Sequence, residues 1–248
     1  MTTEPPPARS AVEIQEVRRI RLVEVPTPPL SPQEQHAMDH AWSEAIQANP
    51  DLFDGPVAAC TQLTRTGPHD VTISWARTTY RRYVPRRGPS ATPDLSALFV
   101  AVVQPTEDGR LLVGRMASWT ATPGRWQLPG GSIEPPAPHQ PLDASALQGH
   151  ATRELSEETG VDTPPGDLTL RLMLRCARGS VGVVFQAPER PARWLRERHA
   201  ALASTEAERG HGSEFDRVQL VGSTDELDGL GGSRAIYLTQ VARRYWRP

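Results

Sequence analysis

The chain has 248 residues, enough to bury one large core or one core plus a smaller one. Its 27 basic residues against 29 acidic ones leave a formal charge of −2, so bulk electrostatics point to neither nucleic acid nor a membrane surface as partner. All of the basic residues are arginine, which excludes lysine chemistry and favours bidentate grips on phosphate.

Cys60 and Cys176 stand far apart without metal-ligand spacing, which implies a reduced, cytoplasmic setting. Met1 to Ser10 lacks the basic-then-apolar order of a secretory signal, and Leu95 to Val103 is too short to span a bilayer.

In chain order, residues 1–10 read as a Pro-rich, disordered tail. Val12 to Val17 and Ile20 to Val25 read as strands. Ser31-Pro32 opens a helix, with serine as cap and proline at the first helical position, running to about Gln47. Asn49 to Pro56 is turn-rich, Val71 to Trp75 is a strand, and Pro85 to Pro93 reads as a linker. Leu95 to Gln104 and Arg110 to Arg115 form a hairpin about Glu107-Asp108-Gly109. A helix is expected from near Ser145, where Ser145 and Gln148 have capping-box spacing, to Gly160. Leu168 to Arg175 and Val181 to Gln186 are strands, Arg190 to Ala203 a helix, Arg217 to Val221 a strand, and Ala235 to Tyr245 a closing helical element. Strands alternating with helices around one strand-loop-helix unit predict an α/β sandwich, a mixed sheet between helices. The expected division is an N-terminal α+β region over 11–93 and a second domain over 94–248.

The segment Arg153-Glu154-Leu155-Ser156-Glu157-Glu158-Thr159-Gly160-Val161 carries the chemistry. On a helix, Leu147, Ala151 and Leu155 form an apolar stripe, and Glu154 and Glu158 fall on or beside it. Acids on the packing side need a partner or a metal. Glu157 lies on one flank, at i,i+4 from Arg153 and able to pair with it. The alternative is an ordinary solvated acidic face.

With Leu128-Pro129-Gly130-Gly131 upstream, this pattern resembles the Nudix box. The second half matches from Arg153 to Val161. The first half departs: 21 residues separate Gly131 from Arg153, where the box has 13. The resemblance implies a Nudix α/β/α sandwich and a Mg²⁺-dependent pyrophosphatase, with Mn²⁺ as the alternative ion. It implies Glu154, Glu157 and Glu158 as metal ligands with the Gly130 carbonyl, and Arg153 orienting Glu157. A further carboxylate, base or ligand, is expected from a loop beyond the box. Glu214 is the candidate, with a plain surface acid as the alternative; Glu206 and Glu208 read as solvated.

The order of short motifs is similar to the UDP-sugar pyrophosphatase branch of that family. Those motifs are Pro50-Asp51-Leu52-Phe53-Asp54, Thr79-Tyr80-Arg81, Glu134-Pro135 and Ser233 to Leu238. The resemblance implies cleavage of a UDP-sugar to UMP and sugar 1-phosphate, with Phe53, Tyr80, Arg81 and Trp126 contacting the substrate. Phe53 and Tyr80 also read as core residues, and Trp126 as structural. Pro85-Arg86-Arg87-Gly88 replaces the branch's Gly-Thr-Asn and Ser132 its histidine, which leaves the sugar open. The rival readings are a hydrolase of ADP-ribose or another nucleoside diphosphate derivative, and a non-catalytic ligand sensor.

Overall fold

A computed structural model describes residues 12–87, 95–177 and 179–246. The expected tail at 1–10 and the expected boundary at 93/94 lie outside these residues.

The elements in order are β1 (Val12–Glu16), β2 (Arg19–Glu24), α1 (Pro32–Ala48), β3 (Pro56–Arg65), β4 (Asp70–Thr79), a 3-10 segment (Tyr80–Arg87), β5 (Ser96–Val103), β6 (Leu111–Met116), β7 (Trp126–Gln127), α2 (Ala144–Thr159), β8 (Thr169–Cys176), β9 (Ser180–Gln186), α3 (Ala192–Glu208), β10 (Phe215–Val221), α4 (Thr224–Asp228) and α5 (Leu238–Trp246). The α/β class is as the alternation of elements predicts.

Seven strands pair in the order β1-β8-β9-β5-β3-β4-β2, with β5·β9 and β2·β4 parallel and the other pairs antiparallel. The two edge strands, β1 and β2, are consecutive in sequence, so the sheet must curl until its edges meet. The junction shows this: the Val17 amide donates to the Arg171 carbonyl at 3.0 Å and the Arg18 amide to His69 at 2.8 Å. A second sheet, β10-β6-β7, joins the first through the chain that leaves β7. That chain runs antiparallel along β5. The Val102 amide donates to Pro129 at 2.7 Å, Val100 to Gly131 at 3.0 Å, and Ile133 to Leu98 at 3.1 Å.

One face of the curled sheet packs on α2, whose Leu147, Ala151 and Leu155 are fully buried with Leu98, Val100 and Val183. The other face packs on α5 through Leu238, Val241 and Ala242. Burial of each such leucine contributes about 2 kcal/mol. The result is the expected sheet between helices. Among the described residues no helix is long and apolar enough to cross a membrane.

Several elements differ from expectation. β3 has no counterpart in the sequence reading. Its first half, Val57 to Cys60, is a continuously buried run of mostly small residues without strand alternation. β4 is twice the expected length because it pairs with β3 along almost all of it. The helix α2 is capped by Asp143, not Ser145; Asp143 is extended, and its carboxylate accepts from the Ala146 amide at 2.9 Å. The helix α3 starts after Pro191 and continues through the alanine- and glutamate-rich stretch to Glu208, five residues past the expected end. Residues 85–87 of the expected linker close the 3-10 segment, and 88–93 lie outside the described residues.

Candidate active site

The acidic cluster stands where α2 faces the turn after β7. Glu158 is 2 % exposed and Glu154 half-buried, while Arg153 and Glu157 are on the exposed flank. The helical stripe therefore placed Glu154 and Glu158 correctly. The Gly130 amide donates to Glu158 Oε2 at 2.6 Å.

Both glycines of the turn stand at close approaches, and at Gly130 the approach is to backbone. Gly130 has φ 150°, and a Cβ there would sit 2.1 Å from the Val100 carbonyl oxygen. A Cβ on Gly131 would sit 2.5 Å from Glu154 Oε2. The pair thus lets one backbone turn lie against β5 and against two carboxylates at once.

Burial and the other carboxylates raise the affinity of these acids for protons. Glu154 is pushed up to about 7 by burial, then by the charges of Glu214 and Glu157, against a smaller opposing effect of Arg153. Glu158 is raised well above the usual range by burial and by Glu154, and the Gly130 amide opposes this. Glu214 is raised by burial of its carboxyl and by Glu157, although the residue as a whole remains open to solvent.

Glu214 arrives from the start of β10. The Glu214 carbonyl accepts from the Ala117 amide at 2.8 Å, and the buried His199 bonds the neighbouring Phe215 carbonyl at 3.1 Å. Its carboxyl faces the box helix and lines the cleft. Glu206 and Glu208 lie in the last turn of α3, and the Glu206 carboxylate pairs with Arg209.

Arg153 does not pair with Glu157. Its guanidinium donates to His150 Nδ1, one helical turn back. Glu157 lies outside the cleft lining, within electrostatic reach of the other three acids.

The cleft itself has a volume of about 420 Å³. Glu154 and Glu158, withdrawn from solvent, line its floor with Gly130 and Gly131; Glu214 lines a wall, and Phe53, Tyr80 and Trp119 line its mouth. Phe53 is not a core residue, being 79 % exposed. Tyr80 is half-buried and meets Trp42 edge-on at 6.5 Å. Two of the expected substrate contacts are elsewhere. Arg81 is held by Asp54, with its amide 2.8 Å from Oδ1 and Nε 3.4 Å from Oδ2, and by Asp39. Trp126 is 2 % exposed in the core, where its backbone pairs with Ser233 and Ala235. Neither lines the cleft.

Arg125 and Trp119 escaped the sequence reading. Arg125 reaches the cleft and donates to Gln127 Oε1 at 2.8 Å; Gln127 in turn donates weakly to the Gly130 carbonyl at 3.4 Å. Residues 125 and 127 flank the buried Trp126, and strand alternation around that tryptophan was the available signal.

A model of the NUDIX domain matches residues 96–236, more than half of the chain. The chain belongs to the Nudix family. Its α/β fold is the Nudix fold. A MutT-like protein of Streptomyces ambofaciens is 36 % identical over 104 residues, which cover 42 % of this chain and 59 % of that protein. The match therefore spans less than two thirds of that relative. Among solved structures the chain is similar to a MutT protein from Methanosarcina mazei Go1, at 21 % identity and a TM-score of 0.41, covering 60 % of this chain and 91 % of that one. It is also similar to a Nudix hydrolase from Nitrosomonas europaea, at 19 % identity and a TM-score of 0.38, covering 61 % and 88 %.

Nudix hydrolases generally use divalent cations such as Mg²⁺ or Mn²⁺ and act on small molecules. The donor set of this Nudix site fits such an ion. Glu154, Glu158 and Glu214 offer carboxylate oxygens beside the Gly130 backbone, and the acids raise one another's proton affinity. Among the described residues no three acidic, histidine or cysteine side chains stand grouped so as to hold a metal ion, so the fit rests on the oxygen chemistry of the acids alone.

Proposed function

We propose that this Nudix hydrolase cleaves the diphosphate of a UDP-sugar, or a closely related nucleotide-sugar, to a nucleoside monophosphate and a sugar 1-phosphate. The observation that carries the reading is one cleft lined by Glu154, Glu158 and Glu214 and, at its mouth, by the N-terminal residues Phe53 and Tyr80. The N-terminal motifs similar to the UDP-sugar branch thus stand next to the box acids. We treat 11–93 as the recognition region and 94–248 as the hydrolase domain, although strands of both share one sheet. Cys60 and Cys176 are buried free thiols, in keeping with a reduced cytoplasm.

Glu154, Glu157, Glu158 and the Gly130 carbonyl would hold the divalent ion. When bound, it supplies positive charge that offsets both the carboxylates and the diphosphate. The remaining work falls to the chain. Glu214 stands on the far wall of the cleft, and its raised proton affinity suits a base that takes a proton from the attacking water. Arg125 binds a phosphate oxygen and holds the diphosphate in line. The buried Glu158 fixes the Gly130 peptide through its amide. Arg153, docked on His150, spreads positive charge over the exposed flank of the helix and lowers the proton affinity of Glu154.

The test is product analysis by chromatography and phosphorus NMR with UDP-glucose, UDP-galactose, UDP-N-acetylglucosamine and ADP-ribose, each with Mg²⁺ or Mn²⁺. UMP plus sugar 1-phosphate is the expected result. Turnover of ADP-ribose alone would keep a hydrolase and discard the UDP-sugar. Binding without turnover of any diphosphate would move the protein to the sensor class.

A further inference from the structure

Four large hydrophobic side chains are exposed among the described residues: Ile46, Phe53, Trp119 and Ile236. Two of them, Phe53 at 79 % and Trp119 at 40 %, line the cleft that holds the box acids. They come from different parts of the chain. Phe53 is on the loop between α1 and β3, and Trp119 on the loop between β6 and β7.

The two loops are tied together. Asn49 Nδ2 donates to the Trp119 carbonyl at 3.4 Å and to the Thr120 carbonyl at 3.3 Å. The indole is backed on one edge by Gly212, where a Cβ would lie 3.0 Å from Nε1. Trp119 is thus set in place from behind and open in front.

The other tryptophans are occupied. Trp42 meets Tyr80 edge-on, Trp75 lies under Arg77, Trp194 faces Arg190 and Arg198, Trp246 donates to Gly109, and Trp126 is buried. Neither Phe53 nor Trp119 has a ring or cationic partner among the described residues. Leaving two large apolar rings in water forfeits the stabilisation their burial would give. Two such rings at one cavity mouth mark a ligand surface.

We propose that Phe53 and Trp119 are the two walls of a slot that receives a nucleobase by stacking, with Trp119 the wall supplied by the hydrolase domain. The inference rests on the reading that the substrate is a nucleoside diphosphate derivative. It adds where the nucleoside end lies: at the mouth, with the diphosphate running inward past Arg125 to the acids. Stacking is tolerant of base identity because every base has a flat π-face. The slot therefore accepts uracil and adenine alike, and discrimination between them must come from groups at the ring edge.

The test is fluorescence titration of the full chain in Mg²⁺ buffer with UMP, AMP, ribose 5-phosphate and glucose 1-phosphate, none of which has a diphosphate to cleave. UMP and AMP are expected to quench tryptophan emission, and the two base-free phosphates are not. Trp119→Ala and Phe53→Ala should each weaken UMP binding about tenfold by calorimetry. Their effect on ribose 5-phosphate should be much smaller. Trp119→Phe should keep most of the affinity and lose the quench, which separates stacking from a folding defect; circular dichroism checks the alanine variants.

Equal weakening of UMP and ribose 5-phosphate would overturn the slot. So would quenching by glucose 1-phosphate in place of UMP, which would put the sugar there, or a wild-type protein that binds no nucleotide. If UMP quenches through Trp119 but no UDP-sugar is hydrolysed, the substrate reading falls and the slot stands.

Discussion

Glu158, at the floor of the cleft, is 2 % exposed and bonded to the Gly130 amide; Phe53, at the mouth, is 79 % exposed and stacks on no other ring among the described residues. The floor is charge held inside the protein by backbone, helix packing and two closely approached glycines. The mouth is apolar surface held outside it by a loop and one asparagine. The difference shows how the two ends divide the work. The floor stores unfavourable electrostatics that a cation relieves, and the mouth stores unfavourable hydration that a flat ligand relieves. Substitutions at the floor should therefore act on turnover and stability, and those at the mouth on affinity.

The largest effect is expected from Glu158→Gln. The amide can still accept from Gly130, so the fold is retained, but a charge at the centre of the site is lost. We expect kcat to fall by roughly two to three orders of magnitude, the range seen when a single preorganised electrostatic group is removed. Steady-state kinetics with circular dichroism checks this. Activity within tenfold of wild type would remove Glu158 from the machinery.

The two glycines sharpen the distinction within the floor itself. At Gly130 the obstacle to a Cβ is the Val100 carbonyl, which belongs to β5 and cannot move aside. Gly130→Ala should cost about 2–4 kcal/mol, read as a lower urea midpoint. At Gly131 the obstacle is the Glu154 carboxylate, the end of a flexible side chain. Gly131→Ala should cost little stability and instead displace Glu154, lowering activity more than the urea midpoint. If both variants lost stability equally, the flexible carboxylate would not be the contact that yields.

The floor was largely legible in the sequence and the mouth only in part, for a physical reason. Glu154 and Glu158 share one helix with Leu147, Ala151 and Leu155, so a single periodicity fixes which acids turn inward. Strand alternation about Trp126 could likewise have shown that Arg125 and Gln127 lie on the opposite side of the strand from it, where they line the cleft. Trp119 has no such local signal; its place beside Phe53 depends on two loops brought together by the curl of the sheet. The same holds for β3. Val57 to Cys60 is a buried run of valine, alanine and cysteine, and its partners, β4 and β5, define it as a strand. Arg153 was expected to meet Glu157 from spacing, yet His150 offers its ring nitrogen one turn away on the other side.

The charge stored at the floor also predicts a pH dependence in the metal-free protein. Glu154 is pushed from 4.5 to about 7, chiefly by burial. Its folded proton affinity exceeds its unfolded one, so its contribution to stability is full below about 4.5 and is lost as the pH rises through about 7. The melting temperature of the protein in EDTA should therefore fall by several degrees between these limits. Glu154→Gln should flatten that part of the profile. A Glu154→Gln profile that runs parallel to wild type over the same window would show that Glu154 is not held in a desolvated, acid-rich position.

The smallest effect is expected at Arg81, and it separates residues at the mouth from residues behind it. Arg81 belongs by sequence to the segment that supplies Tyr80, but it turns away from the cleft to Asp54 and Asp39. Those contacts are 3.4 and 3.6 Å long, and the arginine side chain is 37 % exposed, so solvent screens them. Arg81→Ala should cost about 0.5–1 kcal/mol of stability. Because the guanidinium does not reach the cleft, KM for a nucleotide-sugar should change by less than about threefold, equivalent to well under 1 kcal/mol of binding. A tenfold rise in KM without a matching loss of stability would mean that Arg81 leaves Asp54 when substrate enters. The loop carrying Phe53 would then move with it, since Asp54 follows Phe53 directly in the chain, and the mouth would be assembled by the ligand rather than standing ready for it.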